Sequence, residues 1–227
     1  MKTAIDVGDI GDSALALETR IVPAGSSTHL GDDNSDSLLY VGAGSGRLTV
    51  GGETKDIGAR RAGLVLAGED ATVEAEEEIE LVVATIGGDV DLHAPMGPRD
   101  VVVSLDEADA QKATGARSFQ ILFGPHNGST RATLFAGFVP PGRAPWHYHL
   151  YDEIVWIPEG PARLHLTESV DNLAAGAAFR LRPRQVHIVE NASAEGELTI
   201  IGVFTPAGSP SAAYLMPDVA AEYRFAG

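Results

Sequence analysis

His147 and His149 stand two residues apart in the stretch Gly142-Arg-Ala-Pro-Trp-His-Tyr-His-Leu-Tyr-Asp-Glu-Ile-Val-Trp-Ile-Pro-Glu-Gly160. On a strand, side chains two apart point to one face, so both imidazoles are presented together. Glu153 follows four residues after His149, where the chain bends back or enters the next strand. A further imidazole, His187, lies in Arg182-Pro-Arg-Gln-Val-His-Ile-Val-Glu-Asn191. Three imidazoles and one carboxylate suit one divalent transition metal (Fe, Mn, Ni, Zn or Cu) and leave one or two positions open for water or substrate. An ion held that way stabilises an oxyanion or enediolate, or activates an electron-rich substrate or O₂. The chain has no cysteine, which excludes thiolate nucleophiles, zinc fingers, iron–sulfur clusters and disulfides.

Around this set, Glu153, Tyr151 and His165 are the candidates for acid–base work. Glu153 is compromised as a base while it binds metal. Tyr151 lies in the bend before Glu153 and can reach the pocket, whereas Tyr148, between the two ligand histidines, points away. Trp146 packs at a rim. His165 alternates with Leu164 and Leu166, so it faces either the pocket or the outside. Arg180 and Arg182 share a face just before His187 and either meet an anionic substrate in a bidentate contact or form surface ion pairs. Arg163 reads as a hairpin brace, His126 as a turn residue and Asn191 as a loop anchor.

The elements that must position these groups are strands. Val-, Ile- and Thr-rich runs recur at Leu38–Val41, Arg47–Val50, Leu64–Leu66, Glu80–Ile86, Ser118–Phe123, Thr133–Val139, Ile154–Ile157, Arg163–Leu166, Gln185–Val189 and Leu198–Phe204, separated by Gly and Pro turns. Short strands at such spacing predict an all-β sandwich or barrel. Ser104 and Glu107 have capping-box spacing, which predicts a helix over Ser104–Ala113. Pro217 opens a second expected helix, Pro217–Tyr223. The two halves also align on each other. A shift of 116 places Asp36-Ser-Leu-Leu-Tyr-Val41 on Asp152-Glu-Ile-Val-Trp-Ile157 and Arg47-Leu-Thr-Val50 on Arg163-Leu-His-Leu166, the signature of a duplication.

The 227 residues carry a net charge of −16. That charge disfavours nucleic acid and anionic lipid as partners. It is uneven, with 22 acids and 8 bases in residues 1–116 against 10 acids and 8 bases in residues 117–227. No apolar run reaches signal-peptide or membrane-span length, so the expectation is a soluble cytoplasmic protein without membrane association.

With these residues in place, the chain resembles the cupin superfamily, and its duplication resembles a bicupin. His147, His149, Glu153 and Gly160 match the first cupin motif, with Gly142 one residue closer than the pattern asks. Gly176, His187 and Asn191 match the second, with Pro183 displaced by one and Arg184 where the inner Gly is expected. The resemblance implies two jelly-roll barrels in tandem, at 1–100 and 101–227, with short helices in the linker and at the C-terminus. It places the metal in the second barrel on His147, His149, Glu153 and His187. The shift of 116 carries those ligands onto Gly31, Asp33, Ser37 and Ala71, so the first barrel is expected to be metal-free. The implied activities are a dioxygenase-type oxidoreductase acting on a small oxygen-rich metabolite, or an isomerase, lyase or decarboxylase of a sugar-like or keto-acid substrate. The alternative class is a non-catalytic, sugar-binding bicupin. A homodimer is compatible with the exposed barrel edges.

Overall fold

The computed structural model describes residues 10–113 and 116–215. Alternation explains why the central strands lie where they do. Along Asp36–Ala43, Leu38 and Tyr40 point to one side and Leu39 and Val41 to the other, and all four are buried. The same two-sided burial holds along Ile79–Ile86, Thr133–Val139 and Leu198–Thr205. A strand apolar on both faces must be covered on both, so these strands build inner sheets. Ser45–Val50 buries Leu48 and Val50 but turns Arg47 outward, and it belongs to an outer sheet.

Four antiparallel sheets follow. The first, outer one orders Ser27–Leu30, Ala71–Ala75, Ser45–Val50 and Glu53–Gly58. The second orders Ile10–Gly11, Leu15–Val22, Ile79–Ile86, Asp36–Ala43, Arg61–Val65 and Val102–Ser104. The third orders Ala110–Lys112, Ser118–Phe123, Thr133–Val139, Leu198–Thr205, Asp152–Trp156 and Ala178–Leu181. The fourth orders Val170–Leu173, Ala162–Leu166, His187–Asn191, His147–His149 and Ala213–Leu215, with Gly142–Arg143 also paired to His187–Asn191. Leu39, Leu48, Val73 and Leu81 fill the space between the first and second sheets. Leu38, Tyr40, Val82, Ile154, Trp156 and Val203 fill that between the second and third. Val155, Leu164, Leu181 and Val189 fill part of the space between the third and fourth.

The internal repeat reappears as repeated pairing. Asp36–Ala43 lies between Arg61–Val65 and Ile79–Ile86, and Asp152–Trp156 lies between Ala178–Leu181 and Leu198–Thr205. The matching acids Asp36 and Asp152 both join ion pairs that tie the second sheet to the third. Asp36 accepts from Arg131 at 2.7 Å. Asp152 accepts from Arg180 and Arg182, which both also reach Asp12.

The helix expected over Ser104–Ala113 does not form. The Ser104 hydroxyl accepts from the Asp106 N–H and caps one 3-10 turn, Leu105–Glu107. Val102–Ser104 is drawn into the second sheet against Arg61–Gly63, and Ala110–Lys112 into the third against Ser118–Gln120. Ladder hydrogen bonds on both sides leave no room for a longer helix. The expected helix Pro217–Tyr223 lies outside the described residues.

Candidate metal centre

The fourth sheet presents His147, His149 and His187 to the interior of the second half. His147 pairs directly with His187 across neighbouring strands, and the two rings are 4.3 Å apart between centroids. His149 lies 5.1 Å from His187 in an edge-on contact. Glu153 comes from the facing third sheet, where it pairs with Leu181 and Phe204, and its Oε2 stands 2.8 Å from His149 Nε2. All four residues are buried and line one cavity of about 80 Å³.

Each imidazole is oriented the same way. Nδ1 of His147 lies 2.8 Å from the Pro145 carbonyl oxygen, Nδ1 of His149 lies 3.0 Å from that of Tyr151, and Nδ1 of His187 lies 2.9 Å from that of Gln185. A carbonyl oxygen can only accept, so Nδ1 carries the proton and Nε2 presents a lone pair to the cavity. Burial, and next the charge of Arg117, hold His147 down at about 4. Burial, and next His147, hold His187 down at about 3. Both are therefore neutral at pH 7.

As they stand, no three imidazole or carboxylate groups among the described residues form a ready ion cage. Their chemistry nevertheless fits a divalent ion. His149 Nε2 is fully buried and has no hydrogen-bond partner, although it stands 2.8 Å from the Glu153 carboxylate. Two electron-rich atoms held that close, off a hydrogen-bonding axis and away from water, are satisfied by a cation where their lone pairs meet. The three backbone carbonyls that receive the Nδ1 protons are the supports metal-binding histidines require.

The surrounding backbone fixes these groups. Arg184, at the position where a glycine was expected, takes φ 65°, the left-handed region. Its N–H donates to the His149 carbonyl oxygen at 2.7 Å, linking the loop before His187 to the strand of His149. Asn191 donates to the Val139 and Gly196 carbonyls and accepts from the Ser193 N–H, the loop-anchoring role expected of it. Tyr151 lines the cavity, and its ring is stacked between His149 (4.0 Å, 9°) and Phe204 (3.9 Å, 22°). Burial, and next the Glu153 charge, push its phenol far above the usual range, so it keeps its proton.

The remaining walls include Phe119, Phe135, Val139, Leu181, Val189 and Ile200, with Ser118 and Ser211 also lining the cavity. Arg117 lines the same cavity. It escapes a reading of the sequence because it belongs to no motif, and the one signal available was its place at the start of Ser118–Phe123, two residues before an inward Phe119.

His165 is a correction. Leu164 pairs with Val189 on the inner face, so His165 and its partner Ile188 lie on the outer face of the fourth sheet. There His165 Nε2 meets Glu190, which also takes Arg163 and Arg143. His165 therefore does not reach the cavity and is no acid–base candidate. Arg163 braces its hairpin through Asn172 and Glu190, and Arg180 and Arg182 are held by Asp12 and Asp152. Tyr148 stacks on Tyr214 away from the ligand face. In the first half, Ala71 packs among Leu48, Val50 and Val73, while Asp33 is exposed.

No family model and no curated protein matches the chain. Solved structures do. A single-substitution variant of Bacillus subtilis oxalate decarboxylase is 17% identical, covers 93% of this chain and 74% of its own, and has a TM-score of 0.75. A structure of that enzyme concerned with its Mn(II) centres is 16% identical over 93% and 74% with a TM-score of 0.73. The same enzyme at pH 4.6 is 17% identical over 92% and 74%, with a TM-score of 0.73. With its four antiparallel sheets and inward histidines, the chain has the cupin fold.

Proposed function

We propose that this protein is a metal-dependent cupin enzyme that decarboxylates a small carboxylic acid. The observation that carries the reading is the buried meeting of His149 Nε2 with the Glu153 carboxylate, beside two neutral, carbonyl-anchored imidazoles. The reading takes the chain as two tandem barrels, about 1–100 and 101–227, with His147, His149, Glu153 and His187 holding the ion in the second. Manganese is the favoured ion, because a structure of similar fold is described by its Mn(II) centres. Decarboxylation is preferred over oxidative cleavage or isomerisation, because oxalate decarboxylase is the enzyme whose fold the chain shares.

A bound divalent ion supplies a Lewis acid for a substrate oxygen and a sink for the electrons left when CO₂ departs. The chain's own residues do the rest. The apolar walls exclude water from the carboxylate that leaves, which favours the uncharged product. Tyr151 lines the cavity with its ring on His149 and keeps its proton on Oη, which faces the Pro210 carbonyl oxygen at 3.5 Å. After the C–C bond breaks and its electron pair stays on the substrate carbon, that proton passes to the carbon and solvent restores it to the phenol. Glu153 serves as ligand rather than base.

The test is metal content and gas balance. Protein purified without chelator is expected to hold one transition metal per chain, lost in His147→Ala. It is expected to release CO₂ from oxalate or a short 2-oxo acid without net oxygen uptake. Stoichiometric oxygen uptake would establish the dioxygenase instead, and oxygen-independent interconversion of keto-sugars an isomerase. Metal-free protein that binds a sugar without turnover would leave a binding module.

A further inference from the structure

We infer that Asp12, in the first half, is a positioning residue for the metal centre in the second, and that it holds the seats of Glu153 and His187 together through two arginines. This deepens the function proposed above and rests on it. Asp12 opens the turn before Leu15–Val22, where its Oδ1 accepts from the N–H groups of Ala14 and Leu15 at 3.0 and 3.3 Å. The turn fixes the carboxylate and leaves Oδ2 facing the other half. Oδ2 accepts from Arg180 at 3.0 Å and from Arg182 at 3.2 Å. Oδ2 of Asp152 accepts from the same two side chains, at 2.7 and 2.9 Å. Two carboxylates and two guanidiniums thus alternate around one cluster, and their formal charges cancel. The Arg180 guanidinium holds Asp12 well below the ordinary carboxylate range, so the cluster is fully charged at pH 7.

Both ends of the cluster lead to metal donors. Asp152 is the residue before Glu153 on the strand Asp152–Trp156, and Arg180 engages both of its carboxylate oxygens. Arg182 begins the loop before His187. Its backbone N–H donates to Oε1 of Gln185 at 3.0 Å, and the Gln185 N–H donates back to the Arg182 carbonyl oxygen at 3.0 Å. The Gln185 carbonyl oxygen is in turn the acceptor for Nδ1 of His187. The same loop carries Arg184 in the left-handed region, at φ 65°. A non-glycine residue stays there only where its surroundings over-determine it, so the loop needs its holds.

One carboxylate could not hold both arginines. Without Asp12, Asp152 would face two guanidiniums with one positive charge uncompensated. Arg180 is nearly buried and doubly bonded to Asp152, whereas the Arg182 side chain is more than half exposed, so Arg182 is the one released. Its release frees the start of the loop and, with it, the carbonyl that fixes the His187 tautomer. Exposed ion pairs add little stability, so Asp12 governs where the loop sits more than whether the chain folds. The half that lacks the ligands thereby acts on the site without touching it. Asp36 and Arg131 provide the contrast. Their pair also ties the second sheet to the third, at 2.7 Å, but neither residue belongs to the strand of Glu153 or to the loop before His187.

The test is Mn(II) titration of the full chain by electron paramagnetic resonance, with heteronuclear NMR of the imidazoles in the metal-free protein at pH 7. Removing a direct support of a ligating histidine typically weakens metal binding about 10–100-fold. Asp12 stands further back, and Asp12→Asn is expected to weaken Mn(II) at least threefold. It is also expected to speed solvent exchange of the His187 Nδ1 proton at least threefold. The His147 proton, held by Pro145 outside the loop, is expected to exchange as in the parent. Tm is expected to fall by no more than about 4 °C. Asp36→Asn is expected to lower Tm further yet keep Mn(II) affinity within twofold. Arg182→Met is expected to reproduce the loss of Mn(II), and adding Asp12→Asn to it to cost nothing more, because both act through one contact. Should Asp12→Asn fail to fold, Arg182→Met carries the comparison. Unchanged Mn(II) affinity and His187 exchange, an equal loss in Asp36→Asn, or additive losses in the double variant overturn the positioning role. A parent that takes up no Mn(II) defeats the metal reading alone, and the His187 exchange then decides the role of Asp12.

Discussion

Gly202 lies in the third sheet, paired with Phe135 on one side and Val155 on the other, and Gly202→Ala tests how tightly the residues around the cavity are packed. An added Cβ would stand 2.3 Å from Phe135 Cε1, 2.5 Å from Cζ and 3.0 Å from Glu153 Oε1. Carbon atoms rest about 3.5–4.0 Å apart, so the ring must retreat by at least about 1.2 Å. Phe135 packs edge-on against Phe204 at 5.9 Å, Phe204 stacks on Tyr151, and Tyr151 stacks on His149. The push therefore travels along an aromatic column to His149 and bears directly on Glu153, two of the proposed ligands. Overpacking of this kind costs about 1–3 kcal/mol. For a chain of this size each kcal/mol lowers Tm by about 2–4 °C, so a midway cost of about 2 kcal/mol lowers it by about 4–8 °C. Displacing the supports of metal ligands typically weakens metal binding about 10–100-fold, and the same range is expected here. Melting followed by circular dichroism and Mn(II) titration by paramagnetic resonance measure the two effects. Gly58→Ala is the control, since nothing there approaches closer than 3.6 Å. A Gly202→Ala protein that melts within 1 °C of the parent and binds Mn(II) equally would refute the packing of the site described above.

Arg184→Gly relieves the left-handed backbone at φ 65° and is expected to raise stability by about 1 kcal/mol in urea unfolding. A loss of stability would mean that the arginine side chain outweighs the strain. His165→Ala is expected to cost about 1–3 kcal/mol, because Glu190 loses a buried partner, yet to leave Mn(II) affinity unchanged, and a tenfold loss of metal would return His165 to the site. Glu69 is raised by burial, but the Arg99 fork and the Leu66 N–H outweigh this and hold it below its ordinary value of 4.5. Its contribution is thus complete above the ordinary glutamate range and is lost as pH falls through the folded value. The stability gap between the parent and Glu69→Gln should accordingly be constant near pH 7 and close in acid, and a gap that widens on acidification would contradict it. Chelation of the purified protein is expected to lower Tm, by about 2.7 kcal/mol of stability if the ion had been present at a hundred times its Kd.

What could be read from the residues, and what could not, divides along physical lines. Thr133–Val139 and Ser118–Phe123 were legible to the residue because apolar residues, phenylalanines and β-branched ones among them, dominate both runs between turn formers. The histidine pair was legible because a spacing of two fixes a shared face on any strand. Ser104–Ala113 misled because a cap is a local signal, and the ladders formed by Val102–Ser104 and Ala110–Lys112 are not local. The facing of His165 depended on its register with Ile188, a fact about another strand 23 positions away. Polar strands such as Glu53–Gly58 and Val170–Leu173 went unread because their outward faces dilute the apolar pattern. Arg117 and the cavity phenylalanines carry no spacing signal at all, because a pocket wall and a core have the same composition.

The apolar layer between the second and third sheets has a consequence for how the chain is made. Leu38, Tyr40, Leu64, Val82 and Ile86 are covered by residues such as Leu134, Ile154 and Val203, and Asp12 meets its arginines 168 and 170 positions later. At about 5–20 residues per second, the ribosome takes on the order of ten seconds or more to supply that cover. Through that interval the first half holds a finished inner core and a bare greasy flank. The dense acids of residues 1–116 then act as a colloidal brake, keeping neighbouring nascent chains apart until each can cover its own flank.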